Sequence, residues 1–318
     1  MSTSAHTAST APPEPFQQRL WRLFSNNESV LGYLLILPSV IGFTIFLAVP
    51  AVRAFIISFY EWNLLSPATY TGFGNYNTIF SDDRFWDSLR ITVSYVLWNI
   101  PLQTTLAILI AVLLERFSVG VSSLLRGLVI LPWLMPNVVV ALLWLWILDP
   151  SIGIMNVILK ILGVASQPFL GSPDQVIPSI ALINIWRHVG YTSILIYAGL
   201  KTIPKSLYEA ASIDGAGWVA QFVRITLPLL RPVLVFVLVT TVIGSFQVFD
   251  TIAVTTAGGP AGSSRTIIFY IYDQVFNRRI NMGTATAASV FLFTVLVTIT
   301  IIQMRYLRSN QSDLADYS

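Results

Sequence analysis

The sequence predicts an all-α membrane protein with six transmembrane helices. Hydrophobic residues make up 55% of its 318 residues, charged residues only 10%, and the mean hydropathy is +0.72. Soluble domains are less apolar and about one quarter charged, so this composition indicates an integral membrane chain. Because one helical crossing needs roughly 20 apolar residues, the length suffices for about six spans and leaves no room for a separate catalytic domain.

Uncharged runs along the chain predict where the spans lie. Residues 1–28 are polar and rich in Ser, Thr and Pro, so we expect a disordered cytoplasmic leader there. A membrane domain then covers residues 29–308, and a cytoplasmic tail covers residues 309–318. The predicted spans, each long enough to cross ~30 Å of hydrocarbon, are residues 31–59, 91–114, 125–148, 178–200, 231–249 and 280–304.

Basic residues orient the predicted spans with both termini in the cytoplasm. In this orientation ten Lys and Arg residues fall in the inner segments and six in the outer ones, as the positive-inside rule requires. Three connections of about 30 residues each then lie outside, at 60–89, 149–177 and 250–279. We expect these connections to form an external docking surface.

The residue inventory excludes several classes of function. The chain has no cysteine and only two histidines, so disulfide frameworks, haem, iron–sulfur clusters and thiolate zinc sites are excluded. It contains no Gly-Lys dipeptide, so it lacks a P-loop and cannot hydrolyse ATP by that route. The interiors of the spans carry no carboxylate, which argues against a proton-driven carrier. A pI near 9.2 is explained by basic cytoplasmic loops, so we expect no nucleic-acid partner.

The cytoplasmic loop at residues 201–230 carries the most specific pattern. Ser206 followed by Glu209 predicts a capping box that begins a short helix, and Gly215 is expected to end that helix. A second short helix is expected over residues 218–225, before the prolines that begin span five. The loop is therefore predicted to project from the membrane as a helix, a turn and a second helix.

This loop resembles the EAA loop of ABC importer permeases at every signature position, which are Glu209, Ala210, Ala211, Gly215, Ile225, Leu227 and Pro228. Other motifs are similar to the six-span sugar permeases of the maltose and glycerol-phosphate type, namely residues 72–76, 131–132, 198–200 and 258–260. The resemblance covers roughly residues 30–308. It implies the fold of a type I ABC importer permease.

The resemblance also implies partners. The loop would be a coupling helix in a cleft of a cytoplasmic ATPase subunit, with Glu209 meeting a basic partner and Gly215 allowing close approach. The importer would contain a second homologous permease as a heterodimer partner, two ABC ATPase subunits and an extracytoplasmic substrate-binding protein. This chain would bind no cofactor, because ATP and Mg²⁺ belong to the ATPase. The coupling residues would be Glu209, Ala210, Ala211, Asp214, Gly215, Ile225, Leu227 and Pro228.

Span four carries polar residues where a helix would normally be apolar. Asn184, Arg187, His188 and Tyr191 follow one another at i, i+3, i+4 and i+7, so they share one face. A charge near the middle of a membrane is costly and should face a partner or a polar path. This stripe, which corresponds by its distance from Glu209 to the family's substrate-contacting stripe, is a candidate carbohydrate site.

The role of each residue in the stripe has alternatives. Arg187 is expected to contact the substrate, to bind a phosphate group, or to form an internal ion pair with Asp250. His188 is expected to be either a ligand or a satisfied packing residue. Span five adds Thr241, Ser245, Gln247 and Asp250 to the candidate site, although Thr and Ser often bond within their own helix.

These observations predict a permease subunit of an ATP-driven ABC importer in the bacterial inner membrane, which translocates a carbohydrate delivered by a binding protein. It is not expected to be an enzyme or to bind a metal. The alternatives are an importer permease for glycerol phosphate or a phosphodiester, a stand-alone ion-coupled carrier, and a membrane sensor that transports nothing. The sequence does not identify the substrate.

Overall fold

A computed structural model describes residues 28–276 and 280–308. The predicted leader, apart from Glu28, and the predicted tail at 309–318 lie outside the described residues. The described residues divide into two units, the first ending at residue 56 and the second beginning at residue 57.

The described part of the first unit is one apolar helix, which continues to the start of the second unit. Helix α1 comprises the α-helical segments Glu28–Phe43 and Val49–Ile57 joined by a π-helical turn, Thr44–Ala48. The wider turn lies just before Pro50, whose missing amide hydrogen would interrupt a regular α-helical ladder. Most of its apolar side chains are exposed, as expected of a helix that faces lipid.

The described part of the second unit is mostly helical and contains one short hairpin. Its β-strands are β1 (Tyr60–Glu61) and β2 (Thr69–Tyr70), which pair antiparallel with Tyr60 opposite Tyr70. Its helices are α2 (Gly74–Phe80), α3 (Asp83–Arg116), α4 (Val119–Leu134), α5 (Asn137–Ile147), α6 (Ile154–Ile161), α7 (Val176–Leu200), α8 (Lys205–Ile213), α9 (Trp218–Gln221, the π-helical turn Phe222–Thr226, and Leu227–Phe246), α10 (Asp250–Thr255), α11 (Ile267–Phe276) and α12 (Met282–Arg308).

Five of the predicted spans have a counterpart that is long and apolar enough to cross a membrane. Four are single segments, at Leu31–Ile57, Asp83–Arg116, Trp218–Thr255 and Met282–Tyr306, and the fifth is the bent pair formed by α4 and α5. Helix α7 matches span four in position and has 25 residues. Its polar centre makes it less apolar than the other five, so length and hydropathy alone are compatible with six spans without establishing the sixth.

The span predicted at 125–148 is built from two helices rather than one. Helices α4 and α5 meet at an angle of 94° across a break of two residues, Met135 and Pro136. Pro136 lacks an amide hydrogen and disfavours helical backbone in the residue before it, so α4 ends at Leu134. Sequence length and hydropathy do not reveal such a break, because both halves are apolar.

The centre of the second unit is built around α3 and α7, which pack against each other over much of their length. Small side chains of α3, Ala107 and Ala111, are fully buried and join the apolar cluster that contains Ile196 and Leu200 of α7. Small residues allow membrane helices to approach closely. Helix α3 is about 50 Å long at ~1.5 Å per residue, longer than the hydrocarbon core, so it extends into the connection predicted at 60–89.

Helix α4 crosses α7 at a glycine. A Cβ atom placed on Gly190 would collide with the backbone carbonyl of Val129, so only glycine permits this approach. Gly190 is one residue from Tyr191 and three from Arg187, so the crossing brings the stripe of α7 beside the end of α4.

Two local predictions for the segment at 201–230 were wrong. Helix α8 begins at Lys205 with Pro204 as its N-cap and no side-chain cap, so Ser206 and Glu209 form no capping box. Pro204 precedes the first helical residue and sets the chain direction there, which leaves Ser206 inside the first turn. The second expected helix, at 218–225, is not separate either, because α9 runs from Trp218 through its π-helical turn into span five.

The expected end of the first short helix was correct. Helix α8 ends at Ile213, Asp214 is its C-cap, and Gly215 has φ +78°. The left-handed conformation after a helix is readily adopted by glycine because it lacks a Cβ atom.

The crossing predicts that Gly190→Ala destabilises the protein. The added methyl group must displace the α4 backbone, and such overpacking typically costs about 1–3 kcal/mol. Thermal unfolding in detergent should show a lower transition temperature for this variant. Gly127→Ala is the matched control, since a Cβ atom there meets nothing within 4 Å; equal stability of the two variants would contradict the close approach.

Candidate functional site

A cavity of about 380 Å³ lies among α3, α4, α5, α7, α9 and α10. Its lining residues are mostly amides, hydroxyls and aromatic rings, and they are Tyr95, Asn99, Gln103, Trp133, Asn137, Asn184, His188, Tyr191, Thr192, Leu195, Val237, Thr240, Thr241, Gly244, Ser245, Gln247, Val248, Phe249, Asp250 and Thr251. This volume is within the range of small-molecule sites, roughly 300–1,000 Å³.

The structure brings together most of the residues that the sequence analysis selected for substrate binding. The members that line the cavity are Asn184, His188, Tyr191, Thr241, Ser245, Gln247 and Asp250, whereas Arg187 does not line it. The stripe of α7 faces the cavity because Asn184, His188 and Tyr191 recur at helical spacing opposite the end of α9.

Arg187 points to the break between α4 and α5. Its Nε and Nη2 atoms donate to the carbonyl of Met135 at 3.3 and 3.0 Å, and Nη2 also donates to the carbonyl of Trp133 at 3.3 Å. The expected alternative of an ion pair with Asp250 is not formed between these two described residues. Asp250 instead accepts a hydrogen bond of 2.7 Å from the side-chain amide of Asn137.

His188 uses both ring nitrogens inside the protein. Its Nδ1 lies 2.8 Å from the carbonyl of Asn184, and its Nε2 lies 2.8 Å from Nη1 of Arg187. The guanidinium of Arg187 can only donate, so Nε2 must accept. The carbonyl of Asn184 can only accept, so Nδ1 must carry the proton of a neutral ring. This favours the packing interpretation of His188, which offers the cavity a ring surface and no free nitrogen.

A chain of buried amides and hydroxyls connects three helices beside the cavity. Asn99 of α3 donates to Ser245 of α9 at 2.9 Å and to Gln103 at 3.3 Å, and Gln103 donates to Thr192 of α7 at 3.0 Å. Asn99 and Gln103 are polar residues in an apolar span, and their spacing of four residues places both on the same face of α3. That signal was available in the sequence, but it did not distinguish a cavity wall from helix packing.

Two aromatic rings stack at one wall of the cavity. Trp133 of α4 and Tyr191 of α7 have ring centroids 4.6 Å apart and planes only 10° apart. Sequence analysis missed Trp133, because its role depends on the bend that follows it. Aromatic faces beside hydroxyl and amide groups are typical of sites that bind polyhydroxylated molecules.

The charges of the lining residues are one-sided. Among the described residues of the lining, Asp250 is the only Asp or Glu, and none is Lys or Arg. Arg187, the nearest candidate cation in the sequence prediction, is occupied by backbone carbonyls. Asp250 is therefore the charge that the described lining presents to the cavity, and Arg187, behind the lining, still interacts with it electrostatically.

The predicted coupling residues lie on and beside α8, away from the cavity. The exposed members are Glu209, Ala210, Asp214, Gly215 and Pro228, and the half-buried members are Ala211, Ile225 and Leu227. Tyr208 fixes α8 to α9, because its hydroxyl lies 2.9 Å from that of Thr226. Gln221 adds hydrogen bonds of 2.9 Å to Ser212 and 3.0 Å to the carbonyl of Ala216.

Metal binding finds no support in the described ranges 28–276 and 280–308. Within them no three His, Cys, Asp or Glu side chains form a group that could hold a metal ion.

Comparison with known proteins identifies the family. The profile of "Binding-protein-dependent transport system inner membrane component" matches residues 103–312. The trehalose/maltose transport system permease protein MalF of Thermococcus litoralis is 34% identical over 279 residues, 87% of this chain and 94% of that protein. The sn-glycerol-3-phosphate transport system permease protein UgpA of Agrobacterium fabrum is 32% identical over 281 residues, 88% of this chain and 95% of that protein.

A solved structure supports the same assignment. A chain of a bacterial alginate ABC transporter, crystallised with an alginate pentasaccharide-bound periplasmic protein, matches with a TM-score of 0.77 and 28% identity, covering 90% of this chain and 96% of that one. The family resemblance and the predicted fold of an ABC importer permease are thereby confirmed. The chain belongs to the binding-protein-dependent transport system inner membrane components, and it is a multi-pass permease of an ABC importer.

Proposed function

We propose that this permease translocates a neutral carbohydrate. The observation that carries the proposal is the lining of the cavity, in which amides, hydroxyls and the Trp133–Tyr191 stack surround a single carboxylate and no Lys or Arg. Hydroxyl groups of a sugar can donate to and accept from such side chains, and a sugar ring can pack on an aromatic face. Asn184, Tyr191, Thr241, Ser245, Gln247 and Asp250 would contact the substrate.

The alternative of a phosphate-bearing substrate is less well supported. A phosphate site normally offers Arg or Lys, and the only candidate, Arg187, donates its hydrogen bonds to backbone carbonyls and to His188. Asp250 would also repel an anion inside a cavity of low dielectric. The relatives include a trehalose/maltose permease and a glycerol-3-phosphate permease, so family membership does not decide between these substrates.

ATP hydrolysis would take place in partner subunits. We propose that α8 docks into an ATPase subunit through the exposed Glu209 and the exposed apolar side chains of Leu207 and Ile213, which are 43% and 87% exposed. Charged residues beside exposed apolar ones are typical of a protein interface. This chain would bind neither ATP nor Mg²⁺, because both would be held by the two ATPase subunits.

The remaining partners follow from the same proposal. A second homologous permease would complete the translocation path, and a periplasmic binding protein would deliver the sugar to the connections on the side opposite α8. Both termini would lie in the cytoplasm, in agreement with the ten basic residues on that side.

The composition of the importer is tested by purifying a tagged chain from its native membrane in mild detergent. Co-purification of a Walker-motif ATPase and a second permease is expected, followed by ATP-dependent uptake of at least one neutral sugar in vesicles. A chain that purifies alone and transports without ATP would contradict the proposal and favour the ion-coupled carrier.

Charge reversal at Glu209 should uncouple transport from ATP hydrolysis. Glu209→Lys places a cation where the docking interface is proposed to need a carboxylate, so substrate-stimulated ATP hydrolysis should fall by about tenfold or more. The rate is measured with the intact importer in vesicles. Arg305→Glu, an exposed charge reversal at the end of α12 and outside the proposed docking residues, is the control, and equal rates for both variants would refute docking through Glu209.

Neutralising Asp250 should admit anionic analogues. Asp250→Asn retains an oxygen that can accept from Asn137 but removes the charge, so the preference for a neutral sugar over its phosphorylated form should fall by about tenfold. Binding to the purified importer without its binding protein measures this ratio. Asp149→Asn, at an exposed connection outside the cavity, should leave it unchanged. An unchanged ratio in Asp250→Asn would contradict charge exclusion.

A further inference from the structure

The break between α4 and α5 leaves backbone carbonyls without helical donors, and Arg187 supplies donors to two of them. The last carbonyls of a helix have no intrahelical donor four residues on; here the amide of Met135 donates to the carbonyl of Pro132 at 3.3 Å, and the carbonyls that follow need other donors. Lipid offers no donor, so an unpaired carbonyl in the hydrocarbon region must be satisfied by the protein or by water in a polar cavity. Arg187 reaches across from α7 and donates to the carbonyls of Trp133 and Met135.

Arginine suits this position better than other donors. Its planar guanidinium presents five N–H groups in fixed directions, so one side chain can satisfy two carbonyls and still donate to a third group. That third group is Nε2 of His188, whose opposite nitrogen donates to the carbonyl of Asn184. The series Asn184–His188–Arg187 therefore links the backbone of α7 to the break.

The two sides of the break supply two walls of the cavity. Trp133, just before it, stacks on Tyr191, and Asn137, just after it, donates to Asp250. Both Trp133 and Asn137 line the cavity, whereas Arg187 does not. A change in the angle between α4 and α5 would thus move the aromatic wall and the partner of Asp250 together.

We infer that Arg187 is a positioning residue: it holds the break between α4 and α5 and thereby places Trp133 and Asn137 at the substrate cavity without contacting the substrate. The effect on substrate affinity rests on the proposed function, whereas the effect on the break does not.

The geometry of the break can be measured directly because the chain has no native cysteine. Spin labels at Val121→Cys on α4 and Leu145→Cys on α5, both exposed, report the separation of the two arms in the intact importer. Arg187→Met should broaden and shift this distance distribution. Labels at Leu97→Cys and Leu109→Cys within α3 are the control and should keep their separation.

A second, conservative variant tests the inference if Arg187→Met does not fold. Arg187→Lys keeps the positive charge but replaces the planar fork by one ammonium group, so the distribution should lie between those of the native protein and Arg187→Met. A distribution identical to the native one in either variant that folds would overturn the inference.

A double-mutant cycle separates positioning from direct contact. Arg187→Met should weaken binding of a neutral sugar by about tenfold in the native background but by less than about twofold in a Trp133→Ala background, because the effect passes through Trp133. An equal loss in both backgrounds, with unchanged label distances, would show direct contact and overturn the inference. If the native importer binds no neutral sugar, the proposed function fails, and the label distances still decide the role of Arg187.

Discussion

The contact between the Arg187 guanidinium and the backbone carbonyls of Trp133 and Met135 is the interaction on which the rest of the site depends. A broken helix inside a membrane is stable only when its free carbonyls have donors, because lipid supplies none. The contact allows α4 and α5 to bend by 94°. Without that bend Trp133 and Asn137 would lie on one straight helix, roughly 6 Å apart at ~1.5 Å per residue.

The site also depends on close packing of small residues. Gly190 lets the backbone of α4 approach α7, so the side chain of Arg187 is long enough to reach the break. Where packing excludes water, buried amides supply the hydrogen bonds that polar groups need. Asn99 donates to Ser245 and Gln103 donates to Thr192. Such bonds contribute modestly to stability in membranes, but they fix the relative rotation of α3, α7 and α9 and hence which side chains face the cavity.

Helix α9 gives the proposed coupling a physical path. It runs without interruption from Trp218, beside α8, to Phe246, near the cavity, a length of about 43 Å at ~1.5 Å per residue. The hydrogen bonds of Tyr208 and Gln221 attach α8 to its first turns. A displacement of α8 by a docked ATPase would therefore be transmitted along α9 to Thr241 and Ser245. The π-helical turn at 222–226 is where α9 departs from regular α-helical geometry.

The sequence by itself determined the membrane class, the approximate position of the spans, the family and most of the candidate substrate residues. These features are local, because an apolar run, a helical stripe such as Asn184, His188 and Tyr191, or a signature around Glu209 depends on spacing along the chain. The tertiary structure decided the bend after Trp133, the continuity of α9 and the direction of Arg187. Each of these depends on a partner distant in sequence: Arg187 donates to carbonyls more than 50 residues away, at the break, while Asp250 accepts from Asn137. The position of Arg187 within a predicted span indicated that its charge needs a partner. The packing of α4 against α7 decided that this partner is the backbone at the break.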